Sequence, residues 1–287
     1  MTDGRLSRRD VLRLGVGGLA AATASGLAGC SSIPFLGGGG GGGSSTVQNW
    51  AYDPGEVADQ NAYTPEYRSI SAIRSVEDEL PDSVVDREKR IFAGGYGNPL
   101  DLDFDEADWT LSLGRAGVGS VQHTVEDVVE HLEDEFGFDE DDEVDGYTTV
   151  IGPNETQGYA VDGSTVIWAN ARDAVDALEE LIATQSGDVD MYVDEDEDFA
   201  DAITNVDGDI VRASVGAARE NVVATGTAAT FNGDETTATG AQVFAERDDV
   251  DRERFRELAG EQDDLSVSFS GRVVTFERTL GTDEYTG

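Results

Sequence analysis

Residues 222–246 read VVATGTAATFNGDETTATGAQVFAE. Two runs rich in Thr, Ala and Val, about 222 to 231 and 235 to 246, flank Asn232-Gly233. That dipeptide suits a two-residue hairpin turn because Gly and Asn reach positive φ cheaply, and β-branched residues favour the pleated surface on either side. This end of the chain is therefore expected to be antiparallel sheet. Downstream, Phe255, Leu258 and Ala259 fall at helical spacing and stop at Gly260. Leu265, Val267 and Phe269 then alternate with serines, and Gly271 to Leu280 completes a last strand.

Upstream the same vocabulary returns. Trp109, Leu111 and Leu113 alternate with Thr110 and Ser112, and a second strand is expected from Ala116 to His123. Val125, Val128, Val129, Leu132 and Phe136 then mark one helix face, with Thr124 as N-cap and Asp127 in the first turn. After an acidic loop, Gly146 to Ile151, Gly158 to Val161 and Thr165 to Ala169 read as three strands. A helix follows on Val175, Leu178, Leu181 and Ile182, capped by Asn170, and a shorter one on Phe199, Ala202 and Ile203. Hairpins with helices inserted between strand pairs predict an α+β fold with largely antiparallel sheets. Val121–Ile151 and Val243–Phe276 share the order strand, helix, acidic loop, Gly, strand, which suggests internal duplication of a β-β-α-β-β unit. The expected domain is 108–287, with halves 108–205 and 206–287. Residues 49–107 lead into it, with an apolar segment at Ile70–Ile73, a turn at Pro81 and a loop at Gly94–Pro99.

The N-terminus has a different character. A basic start, Ser7-Arg8-Arg9-Asp10-Val11-Leu12-Arg13, precedes an uncharged run from Leu14 to Gly29. This is the layout of a signal peptide, and the run is too short to span a bilayer as a helix. Arg8 and Arg9 carry a resemblance to the twin-arginine (Tat) export consensus. Leu27-Ala28-Gly29-Cys30 resembles a lipobox, in which cleavage before Cys30, the only cysteine, leaves its thiol for a lipid. Residues 1–29 are thus expected to be a Tat lipoprotein signal. Residues 30–48, with seven glycines at Gly37–Gly43, are expected to be the lipidated cysteine and a flexible tether. The resemblance implies two partners, the Tat translocase during export and the membrane through the lipid on Cys30, and a location on its extracytoplasmic face.

The formal charge is −41, from 60 acidic and 19 basic residues, and Lys89 is the only lysine. With 58 acids and 15 basic residues after Gly29, the mature part stands near −43. Such a surface strains a compact fold unless salt shortens the Debye length, from about 8 Å at physiological ionic strength to about 3 Å at 1 M. Acidity with almost no lysine resembles the proteins of extreme halophiles, archaea in particular. Nucleic acid and anionic headgroups are excluded as partners, since binding phosphate takes cations. Hydrophobic residues at 38% in periodic patterns argue against disorder. Residues 157–215 also resemble a family of secreted or anchored proteins without assigned activity. That likeness rests on Ala160-Val161-Asp162-Gly163-Ser164-Thr165-Val166-Ile167-Trp168-Ala169 before a helix and on Asp196-Glu197-Asp198-Phe199.

No familiar catalytic pattern stands out. His123 and His131 are the two histidines, and Gly114, Gly117 and Gly119 read as hairpin residues rather than a dinucleotide loop. Asp194, Asp196 and Asp198 take the first spacings of a calcium loop, but Phe199 stands where Gly is needed and Asn205 where the closing Glu belongs. Asp141, Glu143, Asp145 and Gly146 begin better, yet Gly152 closes that loop without a carboxylate. Solvated acidic loops are the expectation there, with no metal and no cofactor. Trp109 and Trp168 are expected in the core. Asn154-Glu155-Thr156 is a sequon open to N-glycosylation in an exported chain. The functional expectation is a non-enzymatic interaction or envelope module with a protein partner at the cell surface. The alternatives are a solute-binding lipoprotein of a transporter or an anchored hydrolase.

Overall fold

The computed structural model describes residues 42–54, 64–94, 100, 102–120, 122–219, 221–262 and 264–285. Arg8, Arg9 and Cys30 lie outside them. In chain order the strands are β1 (Glu66–Ser69), β2 (Trp109–Ser112), β3 (Ala116–Ser120), β4 (Asp139–Val144), β5 (Tyr147–Ile151), β6 (Gln157–Val161), β7 (Thr165–Asn170), β8 (Ile210–Arg219), β9 (Val222–Asn232), β10 (Glu235–Phe244), β11 (Leu265–Ser270) and β12 (Val273–Gly281). The helices are α1 (Gly43–Trp50), α2 (Ile70–Ser75), α3 (Asp82–Gly94), α4 (Val125–Phe136), α5 (Ala174–Ser186), α6 (Tyr192–Glu195), α7 (Glu197–Ile203) and α8 (Arg252–Gly260).

The hairpin expected at Asn232-Gly233 is β9–β10. Asn232 pairs with Glu235, so the turn residues are Gly233 and Asp234, one position later than the dipeptide suggests, with Gly233 at φ 72°. A glycine first in a two-residue turn follows the right-handed strand twist. Every pairing is antiparallel, and all twelve strands form a single sheet of order β11-β12-β10-β9-β8-β1-β2-β3-β7-β6-β5-β4. The fold is α+β.

Successive side chains on a strand point to opposite faces, so a sheet covered on both sides is buried on both. Leu111, Val118, Ile167 and Val211 face α1, α5 and α7, meeting Val47, Leu178, Leu181 and Phe199. On the other face Val150, Val166 and Phe231 lie under α2, α3 and α4, against Ile73, Val85 and Leu132. Further along that second face, Phe255 and Leu258 of α8 rest on Val274 and Phe276. The local signals behind these helices are direct. Thr124 and Asp127 exchange side-chain to backbone bonds as a capping box, and Gly137 ends α4 in the left-handed region.

The two halves of the sheet follow the same path. From β1, β2 and β3 the chain crosses by α4 to the outer edge at β4, then returns through β5 and β6 to lay β7 beside β3. From β8, β9 and β10 it crosses by α8 to the other edge at β11, then returns to lay β12 beside β10. This shared path begins at residues 66 and 210, whereas the sequence suggested halves beginning at 108 and 206.

Four expectations need correction. Residues 43–48, read as tether from their Gly and Ser content, belong to α1, because Val47 and Trp50 bury one helical face in the core. Residues 49–107 are no mere lead-in, since β1 is a central strand and α2 and α3 cover the sheet. The supposed acidic loop at 139–145 is strand β4 and its turn, held by pairing with β5 despite five consecutive acids. Helix α5 is capped by Asp173, which accepts from the Asp176 amide, while Asn170 ends β7.

Candidate functional site

The most deeply buried charges lie at the centre of the sheet. On β1, Tyr67 points to one face and stacks on Trp109, with ring centroids 6.3 Å apart, so Glu66 and Arg68 point to the other. Register places Glu66 opposite Arg212 of β8. Above them, α3 presents Arg87 and Glu88. Arg68 donates one guanidinium nitrogen to Glu66 and another to Glu88, and Arg212 donates to the second oxygen of Glu66. Arg87 Nε donates to Glu88 Oε1 at 3.0 Å, its Nη1 donates to the Tyr285 carbonyl at 3.2 Å, and its guanidinium lies 5.1 Å from the Tyr285 ring centroid. Glu88 is 1% exposed and Arg68 9%.

Three cations thus share two carboxylates, a local excess of positive charge in a strongly acidic protein. Burial alone would push the Glu66 carboxyl up, but Arg68 and Arg212 outweigh it and hold Glu66 below the usual glutamate range. Burial likewise works against the charge on Arg68, and Glu66 and Glu88 more than restore it. Glu66 and Arg68 therefore stay ionised at neutral pH. The cluster's arrangement ties α3 to the β1–β8 pair and is suited to rigidity, not proton transfer. Sequence reasoning missed all five residues, because nothing in their spacing along the chain announces that strands 144 residues apart, at 66 and 210, become neighbours.

The residues singled out from the sequence are distributed elsewhere. Asp196 is the N-cap of α7, accepting from the Phe199 amide and the Tyr192 hydroxyl, both at 2.8 Å. Asp198 is paired with Arg272, whose Nη2 also lies 2.9 Å from Asp201 Oδ2, in ion-pair contact but off the hydrogen-bond angle. A guanidinium therefore takes up the charge of Asp198, and Asp194 stands exposed on α6. Asp141 and Glu143 are exposed on β4, and Asp145 makes the turn to β5 at φ 49° ahead of Gly146. Among the described residues no group of three or more His, Cys, Asp or Glu side chains is placed to hold a metal ion. His123 Nε2 lies 3.6 Å from Glu106 Oε1, whereas His131 meets Phe136 edge-on at 5.8 Å, so the histidines have separate surroundings. Asn154 is exposed in the β5–β6 turn. Trp109 and Trp168 pack against the two cores, one on each face.

No protein-family model matches the chain, the 157–215 segment included, and no curated protein compared with it matches. Solved structures of TP0453 are similar in outline. Crystal form III aligns with a TM-score of 0.45 at 9% identity, over 80% of this chain and 93% of that one. Crystal form I gives 0.43 at 11% over 79% and 92%, and crystal form IV gives 0.43 at 9% over 79% and 91%. Among the described residues no helix is long and apolar enough to cross a membrane.

Proposed function

We propose that this chain is a lipid-anchored, extracytoplasmic protein of a salt-adapted organism, whose domain acts as a non-catalytic interaction or envelope module. The observation that carries the reading is the order of the N-terminal signals. Arg8-Arg9, the uncharged run and Leu27-Ala28-Gly29-Cys30 come in sequence, and among the described residues the first helix begins at Gly43. Even fully extended, the chain from Cys30 to Gly43 reaches about 45 Å, so a lipid on Cys30 keeps the domain beside the bilayer. Two features support an interaction role. The buried charged cluster braces helix against sheet, and the twelve strands described form one sheet instead of the two lobes a solute-binding protein closes around its ligand.

Membrane fractionation with a radiolabelled lipid precursor tests the anchor. Cys30→Ser is expected to release the protein without label, and Arg8→Lys with Arg9→Lys to hold the precursor in the cytoplasm. Unchanged fractionation and labelling of the Cys30 variant would sink the proposal. The exposed Asn154 gives an independent mark of export: a glycan-dependent mass that disappears in Asn154→Gln.

A further inference from the structure

The two edges of the sheet are unlike. β4 carries five consecutive acids and a register irregularity between Glu140 and Glu143, features that discourage a further strand. β11 reads Leu265-Ser266-Val267-Ser268-Phe269-Ser270, with no charge, no proline and no glycine, and among the described residues it pairs on one side only, with β12. Its outer row of backbone donors and acceptors is therefore open to another strand. Helix α8 lies over this edge. The guanidinium carbons of Arg252 and Arg256 each sit 5.3 Å from the ring centroid of half-buried Phe269. Their neighbours Arg254 and Arg278 are engaged by Glu257 and Asp264, but among the described residues Arg252 and Arg256 face no carboxylate within ion-pair range.

We infer that β11 is a docking edge for an extended segment of a partner protein that carries alternating carboxylates. A strand added beside β11 sets alternate side chains on the α8 face, about 5 Å from Phe269. Acidic residues there meet Arg252 and Arg256, and charge-assisted guanidinium–carboxylate bonds supply register and preference. Backbone pairing supplies contacts that salt does not screen. This deepens the reading of the domain as an interaction module. It is tested on the purified chain without membranes, so failure of the anchor and failure of the edge are separate results.

The probe is a fluorescent peptide of eight residues alternating Val with Glu or Asp, followed by anisotropy in about 2 M KCl, where the Debye length is below about 3 Å. Binding is expected, with hydrogen-exchange protection at 265–270 and none at 139–144. A central Pro in the peptide should abolish binding, and Lys in place of the acids should weaken it about tenfold. Arg252→Gln with Arg256→Gln, on the helix surface, should weaken the acidic peptide by a similar factor with the circular dichroism spectrum unchanged. Equal binding of acidic and Lys peptides, protection elsewhere, or no binding at millimolar peptide overturns the proposal. Self-association that the same arginine changes abolish, with no peptide bound, also overturns it and assigns the edge to a second copy.

Discussion

Glu88 matters because its two neighbours cannot be left alone. With its carboxylate removed, buried Arg68 keeps Glu66 alone and Arg87 on α3 keeps only the Tyr285 carbonyl and ring, and weakening a buried ion pair in this way costs up to about 3 kcal/mol. Glu88→Gln is expected to lower stability by that amount in urea titrations at fixed KCl. The loss should be nearly the same at about 1 and about 3 M salt, since buried pairs escape screening. Glu66 gives a pH signature. Its folded-state pKa lies below its unfolded value of 4.5, so the unfolded chain binds the proton first. The stabilisation is complete above that value and is lost as pH falls through the folded pKa. Urea midpoints measured downward from pH 5 should fall less steeply for Glu66→Gln than for the parent chain. Gly117 is a third test. A Cβ there would stand 2.0 Å from Trp168 Cζ2, because the register sets the two opposite each other on β3 and β7. Gly117→Ala should cost about 1–3 kcal/mol by overpacking, read as a lower thermal midpoint and altered Trp fluorescence.

Strand β4 forms against its own composition. Acids are poor strand formers, and five in a row repel one another, so β4 owes its place to the hairpin with β5 and to the sheet behind it. Converting Asp139, Asp141 and Glu143 to Asn and Gln should let the domain fold at lower salt, as followed by circular dichroism. It should also unmask an edge, visible as concentration-dependent association in sedimentation. The same strand marks the limit of reading from sequence. Alternation of Trp109, Leu111 and Leu113, the Thr124 cap and the β9–β10 hairpin are local signals; the first two appear where expected, and the hairpin turn falls one position later, on Gly233-Asp234. The 139–144 strand, the Gly43 helix and the role of Glu66-Tyr67-Arg68-Ser69 are decided by distant partners. In α1 the glycine and serines are carried by Val47 and Trp50 packing on the core. The buried ionic cluster was illegible for the same reason, while the calcium spacings were legible but are occupied by caps, turns and Arg272.

Across the whole molecule the charge of −41 is carried mostly by groups exposed to solvent, and their mutual repulsion opposes compactness. Dialysis from about 3 M to about 0.1 M KCl lengthens the Debye length from under about 3 Å to about 10 Å. Cooperative unfolding by circular dichroism is expected, and a fold that persists at the lower salt would refute salt adaptation. The β1–β8 pairing at the sheet's centre also bears on the order of assembly. It joins residues 66–68 to 210–212, so a chain made from its N-terminus carries half a sheet with an unfinished edge until the second half exists. Closing so long a loop is slow, on the order of milliseconds to seconds for sheet-rich domains. The Tat-type export proposed above would suit such a topology, because it would carry the chain out already folded, with the two halves joined inside the cell.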